Sequence, residues 1–426
     1  MKLFRYILIL FFCLGSLHLY AQDMLRVRQT IDTLTSSYFH GRGYIFEGDT
    51  RAANYIRDRY KAAGLQPVGS SYMQEFTLPV NRITETPELQ VGNYKLTAGT
   101  DFVASARSSS GKGKADVLYL DTLVFSNEAA LQKFFAHNFR KKALVYPQKF
   151  QKQLWELPLP YLQKLSSAAL HIVLQPNGLL TTVAAQAAPL PILEVKQSAW
   201  PAGARKLKYK VVSDHTPNYR TQNVIGVIPG AVQPDSFIVY TAHYDHLGGQ
   251  GKGVYFPGAN DNASGTTMLL ELAEYYSKPE NRSNYSIAFI AFAAEEAGLL
   301  GSFHYVNNPL FPLSNIRFLV NLDLLGTGDD GMMVVNGSIH PAEFAQLQTI
   351  NKKHNYLPQI KMRGKAANSD HYPFSERGVP AFFFYTLGGT TAYHNTNDQA
   401  RQLPLTKFSE VFRLITDFAA ALQGQR

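Results

Sequence analysis

The sequence predicts an α/β protein with a mixed, mostly parallel central sheet flanked by helices, and a smaller inserted β-rich α+β domain. Strand-like and helix-like segments alternate in two stretches, 22–85 and 214–426. Several strand-like segments of the second stretch are continuous apolar runs, which is typical of strands covered on both faces. The intervening stretch, 86–213, holds short β-like runs without any cluster of ligand-type residues, so we interpret it as an inserted domain.

The composition is that of a folded protein. The chain has 426 residues, of which 45% are hydrophobic and 17% charged, and this excludes an acidic disordered chain, a collagen-like repeat and a coiled coil. Cys13 is the single cysteine, so a disulfide scaffold and a Cys-ligated zinc site are excluded. The net charge of +9 comes from scattered Lys and Arg, and short clusters such as 140–142 indicate solvated surface rather than a nucleic-acid site.

Residues 1–21 have the pattern of a secretory signal peptide. Lys2 and Arg5 precede an apolar stretch over 6–14, and small and polar residues follow up to Ala21. The apolar stretch is much shorter than the roughly 20 residues that a membrane span needs. We therefore expect cleavage after Ala21 and export to the periplasm or medium, with anchoring only if the signal stays uncleaved.

Periodicity and turn signals predict the individual elements. In the first stretch, apolar residues recur at helical spacing from Ala53 to Ala63 behind a capping Asp49, and 72–78 resembles a strand. In the insert we predict strands at 116–120, 143–146, 170–174 and 190–195, helices near 134–135 and 159–165, and an exposed loop at 108–113. In the second stretch we predict strands at 223–229, 236–243, 286–293, 318–323, 332–336 and 381–385, and helices at 266–276 and 405–422.

Candidate metal ligands lie at the ends of these strands and before a helix. Because parallel strands place their carboxyl ends at one edge of the sheet, these residues can converge on one crevice. Together, His and carboxylate side chains suit zinc, and a carboxylate can bridge two ions. Each residue alone is weak evidence, since an Asp before a helix is usually a cap. The positions are His243, Asp245, His246, Asp261, Glu295, Glu296, Asp323 and His394.

Six segments occur along the chain in this order: AHYDH, PGANDNASG, AAEEAGLLGS, NLDLLG, NSDHYPF with RGVPAFFF, and AYHNTND. Together they resemble the M28 family of zinc metallopeptidases, the aminopeptidase type with two zinc ions. The opening segment FHGRGYIFEGDTRAANYI is also similar to that family. The resemblance implies a zinc exopeptidase-like fold, and the insert is similar in position and strand pattern to a protease-associated domain.

The resemblance also implies a role for each matching residue. His243 and Asp323 would hold one zinc ion, Glu296 and His394 would hold the other, and Asp261 would bridge the two. Three further residues would act beside the ions: Glu295 as general base, Asp245 in orienting His243, and Tyr393 as a donor to the oxyanion. His246 and His371 are expected outside the ligand set. One departure is Ala392, where many relatives have an acidic residue.

The implied function is an exported zinc-dependent aminopeptidase that removes N-terminal residues from peptides, using a hydroxide held by two zinc ions and Glu295 as base. A carboxypeptidase of the same family remains an alternative, with Arg363, Arg377 or Arg401 as candidates for holding a substrate carboxylate. A glutaminyl cyclase is a second alternative, and a non-catalytic binding module is the third. Peptide substrates with a free N-terminus are the expected partners.

Overall fold

The computed structural model describes residues 23–424, so the predicted signal peptide lies outside the described residues. Most strands belong to two eight-stranded sheets. The strands are β1 (Met73–Ile83), β2 (Glu88–Val91), β3 (Tyr94–Leu96), β4 (Phe102–Ala104), β5 (Gly111–Tyr119), β6 (Lys142–Pro147), β7 (Leu170–Gln175), β8 (Ile192–Lys196), β9 (Lys206–Val211), β10 (Ser213–Ile228), β11 (Gln233–His243), β12 (Gly249–Gln250), β13 (Val254–Tyr255), β14 (Tyr285–Phe292), β15 (Ile316–Leu322), β16 (Met332–Val335), β17 (Ile360–Met362) and β18 (Ala381–Thr386).

The helices pack against these sheets. They are α1 (Met24–Leu34), α2 (Gly48–Ala62), α3 (Glu128–Phe135), α4 (Gln151–Trp155), α5 (Leu159–Ser166), α6 (Gly265–Tyr276), α7 (Leu300–Asn307), α8 (Pro341–His354), α9 (His371–Ser375) and α10 (Phe408–Leu422). Within the described part of the chain, none of them is long and apolar enough to cross a membrane.

The first sheet has the order β1-β10-β14-β11-β15-β18-β16-β17. Its four central strands, β14, β11, β15 and β18, are mutually parallel. Three pairs are antiparallel, β1 with β10, β10 with β14 and β16 with β18, and the edge strand β17 is parallel to β16. This arrangement confirms the predicted mixed, mostly parallel sheet. The parallel strands matter for the site because their carboxyl ends all meet at one edge.

Both faces of the first sheet are buried, which explains the continuous apolar runs. Along β11, Ile238, Tyr240 and Ala242 point into one core, which also contains apolar residues of α1, α2, α6 and α10. Val239 points into the opposite core, where α7 contributes Tyr305. Because successive side chains of a strand face opposite sides, a strand covered on both faces is apolar at most positions.

The second sheet has the order β3-β2-β9-β5-β6-β7-β8-β4 and lies within the predicted insert. The chain leaves the first sheet at the end of β1 and returns at the start of β10, where Ile83 pairs with Ser213. Both strands are longer than predicted because they pair with each other over most of their length. The predicted exposed loop at 108–113 is found only in part: 108–110 lie outside the strands and Ser110 is exposed, but Ser108 is buried and β5 begins at Gly111.

Candidate metal centre

The carboxyl ends of the four central parallel strands supply or lead to the candidate ligands. His243 is the last residue of β11, and Asp323 directly follows β15. The Glu pair follows β14, the His394 loop follows β18, and Asp261 lies in the turn that opens α6. The structure therefore brings together all five residues that the resemblance implied as ligands.

Asp261 lies between two groups of side chains. Its Oδ1 is 3.5 Å from His243 Nε2, and that nitrogen is 3.4 Å from Asp323 Oδ1. Its Oδ2 is 3.1 Å from His394 Nε2, which is 3.2 Å from Glu296 Oε2. One carboxylate oxygen thus faces each group, as a bridging ligand between two cations requires.

The donor set fits zinc on the evidence of its hydrogen bonds. His243 Nδ1 is 3.1 Å from the main-chain carbonyl of Asp245, so Nδ1 carries the proton and the Nε2 lone pair faces the carboxylates of Asp261 and Asp323. Asp323 Oδ1 is buried without a hydrogen-bond partner in the described structure. Nitrogen and oxygen lone pairs that face each other in a buried site repel unless a cation lies between them. Histidine nitrogens and carboxylate oxygens are ligands that zinc accepts.

The electrostatics of the centre favour positive charge. Burial lowers the pKa of His394, but its hydrogen bonds to Asp261 and Glu296 outweigh burial and raise that pKa to about 10. Burial acts to raise the pKa of Glu296, but hydrogen bonds from His246 and His394 bring it well below the usual range. The proton that His394 keeps at this raised pKa compensates the carboxylates beside it, and metal binding would displace it.

Glu295 lies beside the first group. A carboxylate oxygen of Glu295 and ligand atoms of His243 and Asp323 all lie within 4.8 Å of one another. Burial raises the pKa of Glu295 well above its ordinary value, opposed by His243. A buried carboxylate at the edge of a cation site is placed to accept a proton.

Asp245 contacts more than the histidine it was expected to orient. Its carboxylate Oδ1 is 3.8 Å from His243 Nδ1, which is longer than a hydrogen bond, and its main-chain carbonyl takes that position instead. The carboxylate accepts the main-chain N–H groups of Glu295 and Glu296 at 3.1 and 3.4 Å. Asp245 therefore holds the histidine with its backbone and the Glu pair with its side chain.

The remaining histidines differ in their distance from the centre. His246 Nδ1 is 2.7 Å from Glu296 Oε1, so it supports the oxygen of Glu296 that does not face His394. His246 also forms a candidate metal group with Asp261 and Glu296. His371 is buried with its ring 5.3 Å from that of Phe383, outside both groups.

Tyr393 covers the solvent side of the centre. Its ring stacks on His394 with a centroid distance of 3.8 Å, and the residue is 48% exposed. Burial, with the carboxylates of Asp261 and Glu296 next, raises the pKa of Tyr393, so its hydroxyl keeps its proton. The phenol is thus available as a hydrogen-bond donor.

The inserted domain contacts the same loop. Thr181 donates its N–H to the carbonyl of His394, and Thr396 Oγ1 donates to the carbonyl of Gly99, both at 3.1 Å. A cavity of about 600 Å³ lies between the domains, lined by 177–180 on one side and 389–392 on the other. The insert therefore forms one wall of a space that flanks Tyr393 and His394.

Arg42 supports the centre from below and had no role in the sequence analysis. Its side chain is fully buried, and it donates only to main-chain carbonyls. These belong to Leu34, Tyr244, Pro257, Gly258 and Asp261. The one sequence signal was the glycine on each side of Arg42 in FHGRG, which contributed to the resemblance without indicating a contact.

Asp398 and Asn262 fix the position of Asp261. The Asp398 carboxylate accepts the N–H groups of Asn260 and Asp261 at 2.9 and 3.0 Å. Asn262 donates to the carbonyls of His243 and Leu322 and accepts the N–H of Gly265, and the Asp261–Asn262 peptide is cis. The turn, β11, β15 and α6 are thereby joined directly beneath the candidate ligands.

The first sheet thus has helices on both faces and a centre of His and carboxylate side chains at the ends of its parallel strands. Residues 223–419 match the model of peptidase family M28, so this part of the chain resembles members of that family.

Two curated relatives illustrate the sequence match. Aminopeptidase YwaD of Bacillus subtilis (strain 168) is 28% identical over 248 residues, which cover 53% of this chain and 50% of the relative. A probable leucine aminopeptidase of Arthroderma otae is 30% identical over 197 residues, covering 44% of this chain and 51% of the relative. The chain thus spans about half the length of the curated relatives it matches.

The fold resembles a solved structure over nearly its whole length. BSAP, a zinc aminopeptidase from Bacillus subtilis, superposes with a TM-score of 0.69 and 21% sequence identity. The superposition covers 93% of this chain and 94% of that chain. The similarity in fold therefore includes both eight-stranded sheets. It also covers the part of the chain that lies outside the match to the family model.

Proposed function

We propose that the protein is an exported zinc-dependent aminopeptidase that hydrolyses N-terminal residues from peptides. The observation that carries this proposal is Asp261, with one oxygen facing His243 and the other facing His394, while Glu295 lies beside the first group. The relatives named as aminopeptidases support the same reading.

Five residues would hold two zinc ions: His243 and Asp323 one, Glu296 and His394 the other, and Asp261 both. When bound, the ions supply Lewis acidity that acidifies water and polarises the peptide carbonyl. Glu295 takes the proton of the attacking water and passes it to the leaving amine. Tyr393 donates a hydrogen bond to the oxyanion from the exposed side.

The charges of the site favour a free N-terminus over a free C-terminus. Among residues 23–424, Arg42 is the one cationic Lys or Arg side chain hydrogen-bonded to a residue of the ligand set, and its bond goes to the main-chain carbonyl of Asp261. Arg363, Arg377 and Arg401, the candidates for holding a carboxylate, are exposed. Apart from the buried Arg42, a substrate carboxylate would therefore find no Lys or Arg partner bonded to the ligand set among the described residues, which favours peptides recognised at a free N-terminus.

Blocking each end of a peptide tests the proposal. We expect hydrolysis of a peptide with a free N-terminus and an amidated C-terminus, and none of the N-acetylated form. A chelator should abolish hydrolysis, and added zinc should restore it. Release of C-terminal residues would indicate a carboxypeptidase, and cyclisation of an N-terminal Gln without hydrolysis would indicate a cyclase. Chelator-insensitive peptide binding without turnover would indicate a binding module.

Metal analysis of two histidine variants tests the number of ions. We expect two zinc ions per wild-type chain and the loss of one in His394→Ala. His246→Ala is the matched control, since His246 contacts Glu296 through a hydrogen bond and is expected to leave both ions bound. A fully active wild-type protein with one ion would contradict the bridging role of Asp261.

Export is the part of the proposal that rests on the N-terminal sequence. Lys2, Arg5 and the apolar stretch over 6–14 support a signal peptide. Cleavage after Ala21 predicts a mature N-terminus at Gln22 in the periplasm or medium, measured by mass spectrometry of the native protein. A full-length cytoplasmic chain would contradict it.

A further inference from the structure

One face of the inserted domain carries a dense array of lysines. Strands β3, β2, β9 and β5 are adjacent, and Leu89, Leu207 and Tyr209 on their inner face are buried in the domain core. The outward positions alternate with these apolar residues, as the pleat requires. Six of them are lysines, which we call the lysine face: Lys95, Lys112, Lys114, Lys206, Lys208 and Lys210.

The strand register sets like charges directly opposite each other. Lys208 of β9 pairs with Lys114 of β5, and Lys210 pairs with Lys112. On the other side of β9, Lys208 pairs with Gln90, which in turn pairs with Lys95. Like charges at directly opposed positions destabilise a sheet, so this arrangement costs free energy in the isolated protein.

The protein compensates only the margins of this array. Lys210 forms an ion pair with Glu85 and lies opposite Glu88. At the other end of β9, Lys206 lies opposite Asp116, which pairs with Lys142. Within residues 23–424, no carboxylate lies within 4 Å of Lys112, Lys114 or Lys208.

The central lysines also border open space. Two depressions of about 500 and 650 Å³ adjoin on this face and share Gln90, Lys114 and Lys208 as walls. The centre of the lysine face is thus accessible and unpaired, and an external anion would relieve its repulsion.

We propose that the lysine face docks the protein onto an anionic lipid surface. Lysine ammonium groups act as hydrated point charges without the planar fork that arginine offers to a single bidentate partner, and they suit laterally mobile headgroups. Nucleic acid is the weaker fit, because Tyr209 of β9 is turned into the core and the central lysines have no aromatic side chain between them for base stacking. The exposed tyrosines of these strands, Tyr94 and Tyr119, lie at strand ends.

Flotation with lipid vesicles tests the proposal. The full chain should bind phosphatidylcholine vesicles that contain phosphatidylglycerol and should not bind pure phosphatidylcholine vesicles. The triple variant Lys112→Gln, Lys114→Gln and Lys208→Gln should bind roughly 10²-fold more weakly, given the contribution of one lysine near an anionic surface. Binding of the wild type should also weaken as salt is added.

The matched control changes the same charge elsewhere. Lys278→Gln, Lys352→Gln and Lys353→Gln together alter exposed lysines of the peptidase region, and this variant should bind vesicles like the wild type. The melting temperature of the lysine-face variant should not fall, since repulsion is removed, so lost binding would not reflect unfolding. Equal loss in both variants would overturn the proposal. Tighter binding to duplex DNA or polyglutamate than to vesicles at equal anion concentration would also overturn it.

Discussion

The two eight-stranded sheets differ in what lies at their surfaces. In the first sheet, the central strands are covered on both faces, and functional side chains project only from the carboxyl ends. In the second sheet, β6, β7 and β8 are covered on both faces, but β9 and its neighbours leave one face to solvent. The first sheet concentrates buried negative charge at an edge, and the second spreads exposed positive charge over a face.

This difference has an energetic consequence. Buried carboxylates without counter-charge are costly, so the centre at the first sheet depends on a dense hydrogen-bond network and on cations. Exposed lysines are solvated, and each contributes little. Substitutions at the end of the first sheet should therefore have large effects on stability and turnover, while those on the open face of the second should have small effects on both.

The largest effect is expected from Arg42. Replacing it in Arg42→Met leaves five buried carbonyls without their donor and removes the positive charge beside the ligands. The free energy of unfolding should fall by about 3–5 kcal/mol, with reduced zinc content. Arg57→Met is the control, because Arg57 bonds only to Asn54 and Asp58 on its own helix and should change stability by less than about 0.5 kcal/mol. Denaturant unfolding measures both, and equal losses would show that burial of Arg42 has no special role.

Glu295→Gln should separate catalysis from metal binding. The amide keeps the size of the side chain but removes the base, so kcat should fall by about 10²-fold or more, which corresponds to ~2.7 kcal/mol, with zinc content unchanged. Glu194→Gln changes a carboxylate of β8 whose pKa burial also raises, but in the second sheet. It should leave kcat within about twofold. Near-normal turnover by Glu295→Gln would contradict the assignment of the base.

The sequence predicted the strands that end in the site because burial on both faces leaves a continuous apolar run. The runs at 236–243 and 286–293 correspond to β11 and β14, and candidate ligands lie at the end of the first run and just after the second. The zinc roles themselves rested on the resemblance, and the geometry adds the way in which Asp261 faces both groups.

The lysine face could not be predicted, because its charges come from strands that are distant in sequence. Lys114 and Lys208 are neighbours only because β5 and β9 pair across the insert, so the chain shows scattered lysines. The serine- and glycine-rich stretch at 108–113 resembled a loop for a related reason: pairing of β5 with β9 overrides its local turn signals. Arg42 was missed because its partners are main-chain carbonyls, which leave no trace in side-chain patterns.

A buried histidine in the second sheet should make its stability depend on pH. Burial lowers the pKa of His171 to about 4, with its ring between Tyr146 and the carbonyl of Leu165. Between that value and the ordinary value of 6.5, the unfolded state binds more protons, so stability is lost as pH falls. At pH 5 the loss should be about 2 kcal/mol relative to neutral pH. In His171→Gln the loss between neutral pH and pH 5 should be smaller by that amount, and an unchanged pH profile of unfolding would contradict the assignment.

The smallest changes in stability should come from substitutions on the lysine face, and we expect two of them to have opposite signs. Lys208 lies opposite Lys114, whereas Lys206, on the same strand and also exposed, lies opposite Asp116. Lys208→Gln removes a repulsion and should raise stability by a few tenths of a kcal/mol, while Lys206→Gln removes an attraction and should lower it by a similar amount. Both differences should shrink as salt screens the charges. Thermal unfolding of the two variants at low and high salt measures this pair of shifts, and shifts of equal sign would show that side-chain propensity outweighs the cross-strand charges.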